Sequence, residues 1–432
     1  MVAAVGATCL VSIFVAQLLL TLALLLWLAR LLRGETRLVS LPLDGPVLAF
    51  AVWTLLSAAF SRNPVASHES AKKLVLFVLL YVAVDVLRNA TARERVLDAA
   101  LLGGMALAGG VLTQYYFLGF DTLDNRPRSF LGHYMTTSGL VMAVLVLATA
   151  RVLFRGDRRS GFARADLGRA GLVLLALLLL AGLRAANLFT VEAERLFVAG
   201  LGFAAIGLAV AGPAWPTPST GMLLACIDIP LCAWALGVSR TRNAWLGTLA
   251  GLAVVALMKA PRLLWLLGAG VGVVLLARPA PVMDRLTLQD ASSRDRIFMW
   301  QAGLDMILDK PVFGQGPGMI TQAYPEYRWP GAPNPQVAHL HDNALQIAAE
   351  RGLPCLAWWL WWVAAAIGDA YREARRQRDG PGWCAVAALG VLTAIMVGGL
   401  FEYNFGDSEV LMFTLLVTAL PYALRLEREA AA

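Results

Sequence analysis

The chain has 432 residues, of which 59% are hydrophobic and only 15% charged, and its mean hydropathy is +0.66. A soluble protein carries roughly 25% charged residues, so this composition excludes an ordinary soluble globular fold. Net charge is +7, almost entirely from arginine since only Lys72, Lys73, Lys259 and Lys310 are lysines. These cations are spread between apolar runs, with no solvated basic domain of the kind that nucleic-acid binding needs.

Apolar runs of about 17–25 residues recur from end to end, each long enough to cross ~30 Å of hydrocarbon. The first, residues 5–32, is too long for a signal-peptide core and ends in Arg30, Arg33 and Arg37, so it reads as a membrane anchor. Further spans are expected near 44–60, 72–88, 96–118, 136–154, 170–187, 196–212, 221–239, 244–258, 262–278, 345–368, 382–400 and 408–424. Several are short or Gly-rich, and about 12 transmembrane helices are expected in an all-α polytopic membrane protein. The organisation predicted is a bundle over residues 1–278, an external loop domain over 279–344 that ends in a histidine motif, and about three C-terminal helices over 345–432. No internal repeat of 20–50 residues stands out. The five cysteines (Cys9, Cys226, Cys232, Cys355, Cys384) lie inside apolar runs without a CxxC spacing. They read as small core residues, with neither a disulfide nor a zinc site.

Basic clusters at Arg88–Arg95, Arg155–Arg169, Lys259 with Arg262, Arg372–Arg378 and Arg425 with Arg428 fall consistently on one side of these spans. The positive-inside rule makes that side cytoplasmic. The opposite, periplasmic side then holds the segment 279–344, with its turn-rich Gly314-Gln315-Gly316-Pro317-Gly318 and Trp329-Pro330-Gly331-Ala332-Pro333-Asn334-Pro335. A helix is expected from Ser292 to Leu308, stopped by Pro311, with Ile297, Trp300, Leu304 and Ile307 on the face it lays against membrane or bundle.

All four histidines (His68, His133, His339, His341) map to this side, and so do arginines that break the charge rule: Arg126, Arg128, Arg184, Arg195, Arg240, Arg242, Arg285, Arg294 and Arg296. Acidic residues on the same side (Asp121, Asp124, Glu192, Glu194, Asp284, Asp290, Asp295) are enough to pair with any one of them. Taken together, surplus positive charge gathered at one face fits an anionic ligand such as a lipid pyrophosphate.

His339 and His341 stand where this polar segment enters a long apolar helix. His341, Leu345, Glu350 and Gly352 give a histidine, a leucine four on, an acid nine on and a glycine eleven on. Ser239-Arg240-Thr241-Arg242-Asn243-Ala244-Trp245 supplies a Ser/Thr-Arg-x-x-Trp turn, with Arg242 in register and Arg240 the shifted alternative. Ser293-Arg294-Asp295-Arg296 through Trp300, Pro311, Gly314 and Gly316 supplies Arg-x-x-x-Trp…Pro-x-x-Gly-x-Gly, with Arg296 in register. This ordered trio resembles the O-antigen ligase and O-antigen polymerase superfamily. One departure is plain: Asp342 stands where the family usually has Asn after the histidine, and Asn343 comes one later.

The resemblance implies a glycosyltransferase of the C type in the bacterial inner membrane, with its active site facing the periplasm. It would move O-antigen polysaccharide from undecaprenyl pyrophosphate to the lipid A-core oligosaccharide without a cofactor or metal. On that reading His341 is the general base, and His339 supports or replaces it. Arg242 or Arg240, with Arg296 and its neighbour Arg294, clamps the donor pyrophosphate. Arg126, Arg128, His133, Arg184 and Arg195 offer contacts to acceptor or phosphate, although the loop around residues 125–133 reads equally well as a turn with solvated charges. The expectation of no metal rests on a first external loop, near 61–70, that offers only His68 and Glu69. It rests also on the two-residue spacing of His339 and His341, which excludes a helical His-x3-His pair. Two other readings stay open. One is the same chemistry with another acceptor, as in an O-antigen polymerase or a protein O-oligosaccharyltransferase; a single dominant external loop favours the ligase. The other is a lipid-linked sugar transporter, disfavoured because the charges gather at one face and not at the bilayer midplane.

Overall fold

A computed structural model describes residues 1–155, 218–277, 291–377 and 382–431. Every regular element among them is helical. The expected spans at 170–187 and 196–212, with Arg184 and Arg195, lie outside the described residues.

In chain order the helices are α1 (Val2–Thr8), α2 (Ile13–Leu32), α3 (Asp44–Ala59) and α4 (Pro64–Ala71), which runs through a 3-10 turn, Lys72–Phe77, into α5 (Val78–Leu87). Next come α6 (Ala90–Phe117), α7 (Tyr134–Phe154), α8 (Pro218–Ser239), α9 (Arg242–Lys259) and α10 (Leu263–Ala277). Then follow α11 (Ala291–Asp309), α12 (Ile320–Tyr327), α13 (Asn343–Arg376), α14 (Trp383–Gly398) and α15 (Ser408–Ala431). Six helices, α2, α6, α7, α8, α13 and α15, are long and apolar enough to cross a membrane, and α3, α10 and α14 contain shorter apolar helices. This count is of the described residues alone, and two of the expected spans lie outside them. Breaks interrupt the apolar runs at Cys9–Ser12, at the 3-10 turn Lys72–Phe77 and at Gly352.

Two of these breaks correct the sequence reading. The first apolar run is not one span. It breaks at Cys9–Ser12, where Ser12 is extended (φ −152°), and the short α1 folds back to pack against α6 while α2 turns away. Phe14, Leu18, Leu22, Leu25 and Leu26 of α2 are exposed on the bare protein. A helix that is apolar all round and unburied by protein is built for lipid. The second correction concerns α13. Its 34 residues would reach about 51 Å as a straight helix, but Gly352 interrupts it with a left-handed φ of +82° and Pro354 follows. The uninterrupted apolar part of α13 therefore begins near 353, and Glu350 and Gly352 belong to a short N-terminal piece.

The bundle is held by close helix contacts. Gly247 and Gly251 of α9 face the Ala394 and Gly390 carbonyls of α14 so closely that an added Cβ would lie under 3.0 Å away. Without a hydrophobic force between helices in lipid, such small-residue seams let backbones approach and gain dispersion contact. Around this seam α7 is nearly fully buried, α6 packs on α8, α13 on α3 and α14, and α15 on α5. Four cysteines are buried as expected; Cys226, on α8, is exposed instead.

The segment from α11 to the start of α13 has a second small core of Met299, Ala302, Met306, Ile320, Ala323, Tyr324, Val337, Leu340 and Ala349. The buried face of α11 is Met299, Ala302 and Met306, while Ile297 and Leu304, from the face expected against membrane or bundle, are exposed on the bare protein. The apolar positions of this helix cover more than one face, so spacing alone did not say which one packs. The Pro311–Gly318 loop seats this core on the N-terminal piece of α13. Leu353 N–H donates to Pro311 O (2.8 Å), Gln315 N–H to Ala349 O (2.9 Å) and Gly316 N–H to Glu350 O (2.8 Å). Gly352 needs to be glycine twice over, since its φ is positive and a Cβ would meet Val312 O.

Candidate functional site

Five chain segments meet at one end of the bundle: the N-termini of α7, α9 and α13, the start of α11, and the loop 399–407 between α14 and α15. The α13 terminus is built by its motif residues. Asp342 is the N-cap, its Oδ1 accepting from Leu345 N–H at 2.7 Å. Asn343 is buried and ties the helix to the 399–407 loop: its Nδ2 donates to Asn404 Oδ1 (2.7 Å), its Oδ1 accepts from Phe405 N–H (3.0 Å), and its own N–H donates to Gly399 O (2.8 Å). The departure at 342 and 343 thus divides two tasks, capping and loop anchoring, between neighbours. Gln346 Oε1 accepts from Leu340 N–H (2.7 Å) and closes the turn that carries the histidines. Glu350 is structural here, with Oε1 accepting from Gly318 N–H (2.9 Å) and Gln346 Nε2 (2.8 Å) and Oε2 pairing with Arg351 (2.7 Å).

Within that frame His341 adopts φ +53°, a left-handed conformation rare for a non-glycine residue. The strain swings its ring beside that of His339, with centroids 4.2 Å apart and edge to face. Both rings meet one carboxylate. His341 Nδ1 lies 2.8 Å from Glu402 Oε2, and His339 Nε2 lies 3.6 Å from Glu402 Oε1. Glu402 is 3% exposed, whereas the two imidazole side chains are 20% (His341) and 23% (His339) exposed. Burial pushes the Glu402 carboxyl up, but the hydrogen bond and charge of His341, together with His339 and Arg296, outweigh it and hold the group below the usual glutamate range. Burial drives His339 the other way for a base, down to about 4, so it is neutral at ordinary pH. Since Glu402 is an anion, Nδ1 of His341 is the protonated nitrogen that donates to it, which leaves Nε2 with the lone pair.

Arg296 is brought into the electrostatic reach of both His339 and Glu402. His133 lies within reach of Glu402 and His341, beside Arg126, whose guanidinium covers the Tyr134 ring at 4.2 Å and whose Nε donates to Leu123 O (2.8 Å). Thr136 Oγ1 donates to Asp407 Oδ2 (2.7 Å), linking α7 to the same loop, and burial pushes the Asp407 carboxyl up to about 7. Arg242 opens α9, and Arg240 just before it has φ +54°. The carbonyl of the adjacent Asn243 packs against Gly398, at the start of the loop that carries Glu402. Two other expected residues point elsewhere: Arg294 is exposed on α11, and Arg128 is exposed with its guanidinium 5.3 Å from the Phe120 ring. His68 is exposed on α4, its Nδ1 2.7 Å from Pro64 O.

Glu402 was missed in the sequence. The available signal was a polar run, Glu402-Tyr403-Asn404, between two apolar runs on the side of the histidines. The metal argument also needs correcting. Two-residue spacing does exclude a helical pair, but His339 and His341 sit in non-helical backbone, where residues two apart can share a side.

An all-helical, multi-pass membrane protein with a histidine–carboxylate site at one end of its bundle is the class these features define. Residues 229–360 match the family model described as O-antigen ligase. The match runs from within α8 to within α13, includes all three motifs, and supports membership of the O-antigen ligase family. The family covers ligases and polymerases that handle lipid-linked polysaccharide in a membrane. No curated protein matches the chain. Glu402 lies outside the matched residues.

Proposed function

We propose that this protein is an O-antigen ligase of the inner membrane, transferring polysaccharide from undecaprenyl pyrophosphate to lipid A-core at the periplasmic face. The observation that carries the reading is the 2.8 Å contact of His341 Nδ1 with the buried carboxylate of Glu402. It leaves Nε2 of His341 as a base for the attacking sugar hydroxyl, and the imidazolium formed as that proton arrives is stabilised by the adjacent anion. Glu402 positions the ring and does not touch substrate. His339, neutral and packed on His341, sets the orientation of the pair. Pyrophosphate is a competent leaving group once its developing charge is met, and Arg296, with Arg242 or Arg240, supplies guanidinium donors for it. Arg126 and His133 stand on the side where an acceptor phosphate would pass. No step in this scheme calls for a metal ion.

The test is reconstitution of the purified protein with lipid-linked O-antigen and lipid A-core in the presence of chelator. Transfer is expected in the parent protein, with loss in Arg242→Ala and Arg296→Ala. Glu402→Gln should lower kcat by about one to two orders of magnitude, the ~1.5–3 kcal/mol of a hydrogen bond to a charged group. Product built on a growing repeat chain or on a peptide, with none on lipid A-core, would replace the ligase reading by one of its relatives. Movement of the lipid-linked donor without any glycosyl transfer would replace it by transport.

A further inference from the structure

Two imidazoles and one carboxylate converge at this site, and each offers one metal-ligating atom within 4.8 Å of the others. The closest separations, 2.8 Å from Glu402 to His341 Nδ1 and 3.6 Å from Glu402 to His339 Nε2, bracket the spacing a tetrahedral zinc ion requires. With ligands at about 2.0–2.2 Å, neighbouring donor atoms stand ~3.3–3.5 Å apart. The two contacts use different oxygens of Glu402, so the three donor atoms, within 4.8 Å of one another, would close by about an ångström to share one ion. Both rings are partly open to solvent, which leaves a fourth position for water. The ligand set also has the right chemistry: two neutral nitrogens and one anion form a three-ligand set with borderline-soft donors, suited to Zn2+ and poorly suited to Mg2+ or Ca2+.

We propose that His339, His341 and Glu402 bind Zn2+, and that the bound ion switches off glycosyl transfer. The inhibition, which rests on the reading of His341 as the base, follows from the ring's single free lone pair. In the resting site Nδ1 carries the proton and Nε2 carries the lone pair. Zinc on Nδ1 moves that proton to Nε2, with no net gain or loss, and Nε2–H has nothing left with which to accept the hydroxyl proton. The carboxylate that would stabilise the imidazolium is occupied as well. The positive charge of nearby Arg296 opposes the ion, so the site is exchangeable and unlike a closed structural zinc site.

The experiment uses the purified full chain in detergent, stripped with chelator and dialysed. Co2+ is titrated first and followed by its visible absorption; Zn2+ is then titrated by calorimetry, with no sugar substrate present. The expected result is one equivalent of tetrahedral Co2+, displaced by Zn2+. Glu402→Gln, which keeps shape, and His339→Ala should each weaken binding at least about tenfold, the scale set by losing even an outer-shell partner of a metal. His68→Ala, far along the exposed α4, should bind like the parent protein. In the transfer assay Zn2+ should titrate activity away with a midpoint equal to the binding constant, and chelator should restore it. Absence of saturable Co2+ binding, or equal affinity in all three variants, overturns the site. Binding that leaves transfer unchanged or raises it overturns the inhibition. A parent protein inactive in chelator defeats the transferase reading and the inhibition with it, while the cobalt titration still decides the site.

Discussion

The two ends of the bundle differ in what meets their interhelical carboxylates. At the end formed by the start of α6 and the last turns of α7, α13 and α15, guanidiniums are closed off by carboxylates. Arg93, 1% exposed, pairs with Glu427 at 2.7 Å and donates to Leu87 O at 3.0 Å. Glu94 accepts from both Arg151 (3.0 Å) and Arg155, and Glu373 from Arg428. These pairs tie helices together. At the other end the buried anion, Glu402, is met by imidazoles, and His341 keeps a second nitrogen for something else. A guanidinium stays charged throughout and its bonds to carboxylate end there, whereas an imidazole bound on one side can still accept a proton on the other. Proton chemistry therefore goes with residue type, while guanidinium–carboxylate pairs also occur on the site side, as at Arg351 and Glu350.

Substitutions can break this contrast, and the largest effect is expected at His341. Its replacement by Ala should cut transfer by about 10²–10⁴-fold, the usual worth of a positioned general base, with an unchanged elution profile on size exclusion. A comparable loss of folded protein would make His341 a structural tie like those at the other end.

Next comes Glu427→Ala, which strands the buried Arg93 cation. A loss of about 3 kcal/mol or more in stability is expected, read as a fall in thermal midpoint in detergent, with kcat of the surviving protein unchanged. If kcat falls while the midpoint holds, the division between the two ends is wrong.

The pH dependence of stability sharpens the comparison further. His339 is held neutral in the folded chain, down at about 4 against an ordinary 6.5, so its contribution is present above 6.5 and is lost as pH falls from there toward 4. Asp407, pushed up to about 7, runs in the opposite sense, its contribution falling as pH rises from about 4 to 7. His339→Gln should therefore flatten the acid side of the parent's stability curve, by ~3 kcal/mol at most, and Asp407→Asn should raise the neutral side relative to it. Parallel curves for parent and His339→Gln would remove His339 from the buried site. The smallest change is expected for His68→Ala, within about 0.5 kcal/mol and without effect on transfer, because the side chain is exposed.

Much of the site was legible where it depended on local pattern. His341, Arg242 and Arg296 could be named from three short motifs, and Asp342 and Asn343 stood out as a departure. Their tasks were not legible. Asn343 reaches a partner 61 positions away, and Glu350 bonds to Gly318. Glu402 carried no motif and lies beyond the matched family segment, so only the folding of α13 against α14 could bring it to the histidines. The first apolar run misled for a related reason. Hydropathy averages across a break such as Cys9–Ser12, and whether α1 folds back depends on a groove in α6 that no local window contains.

The amino-acid order by itself determined the apolar lengths, the charge asymmetry and the polar–apolar junction at His341, because these reflect the solvent each stretch can tolerate. Tertiary structure alone decided that two rings and a distant carboxylate share one point in space. Proton transfer depends on separations of a few ångströms, and across many tens of residues those separations are set by helix packing.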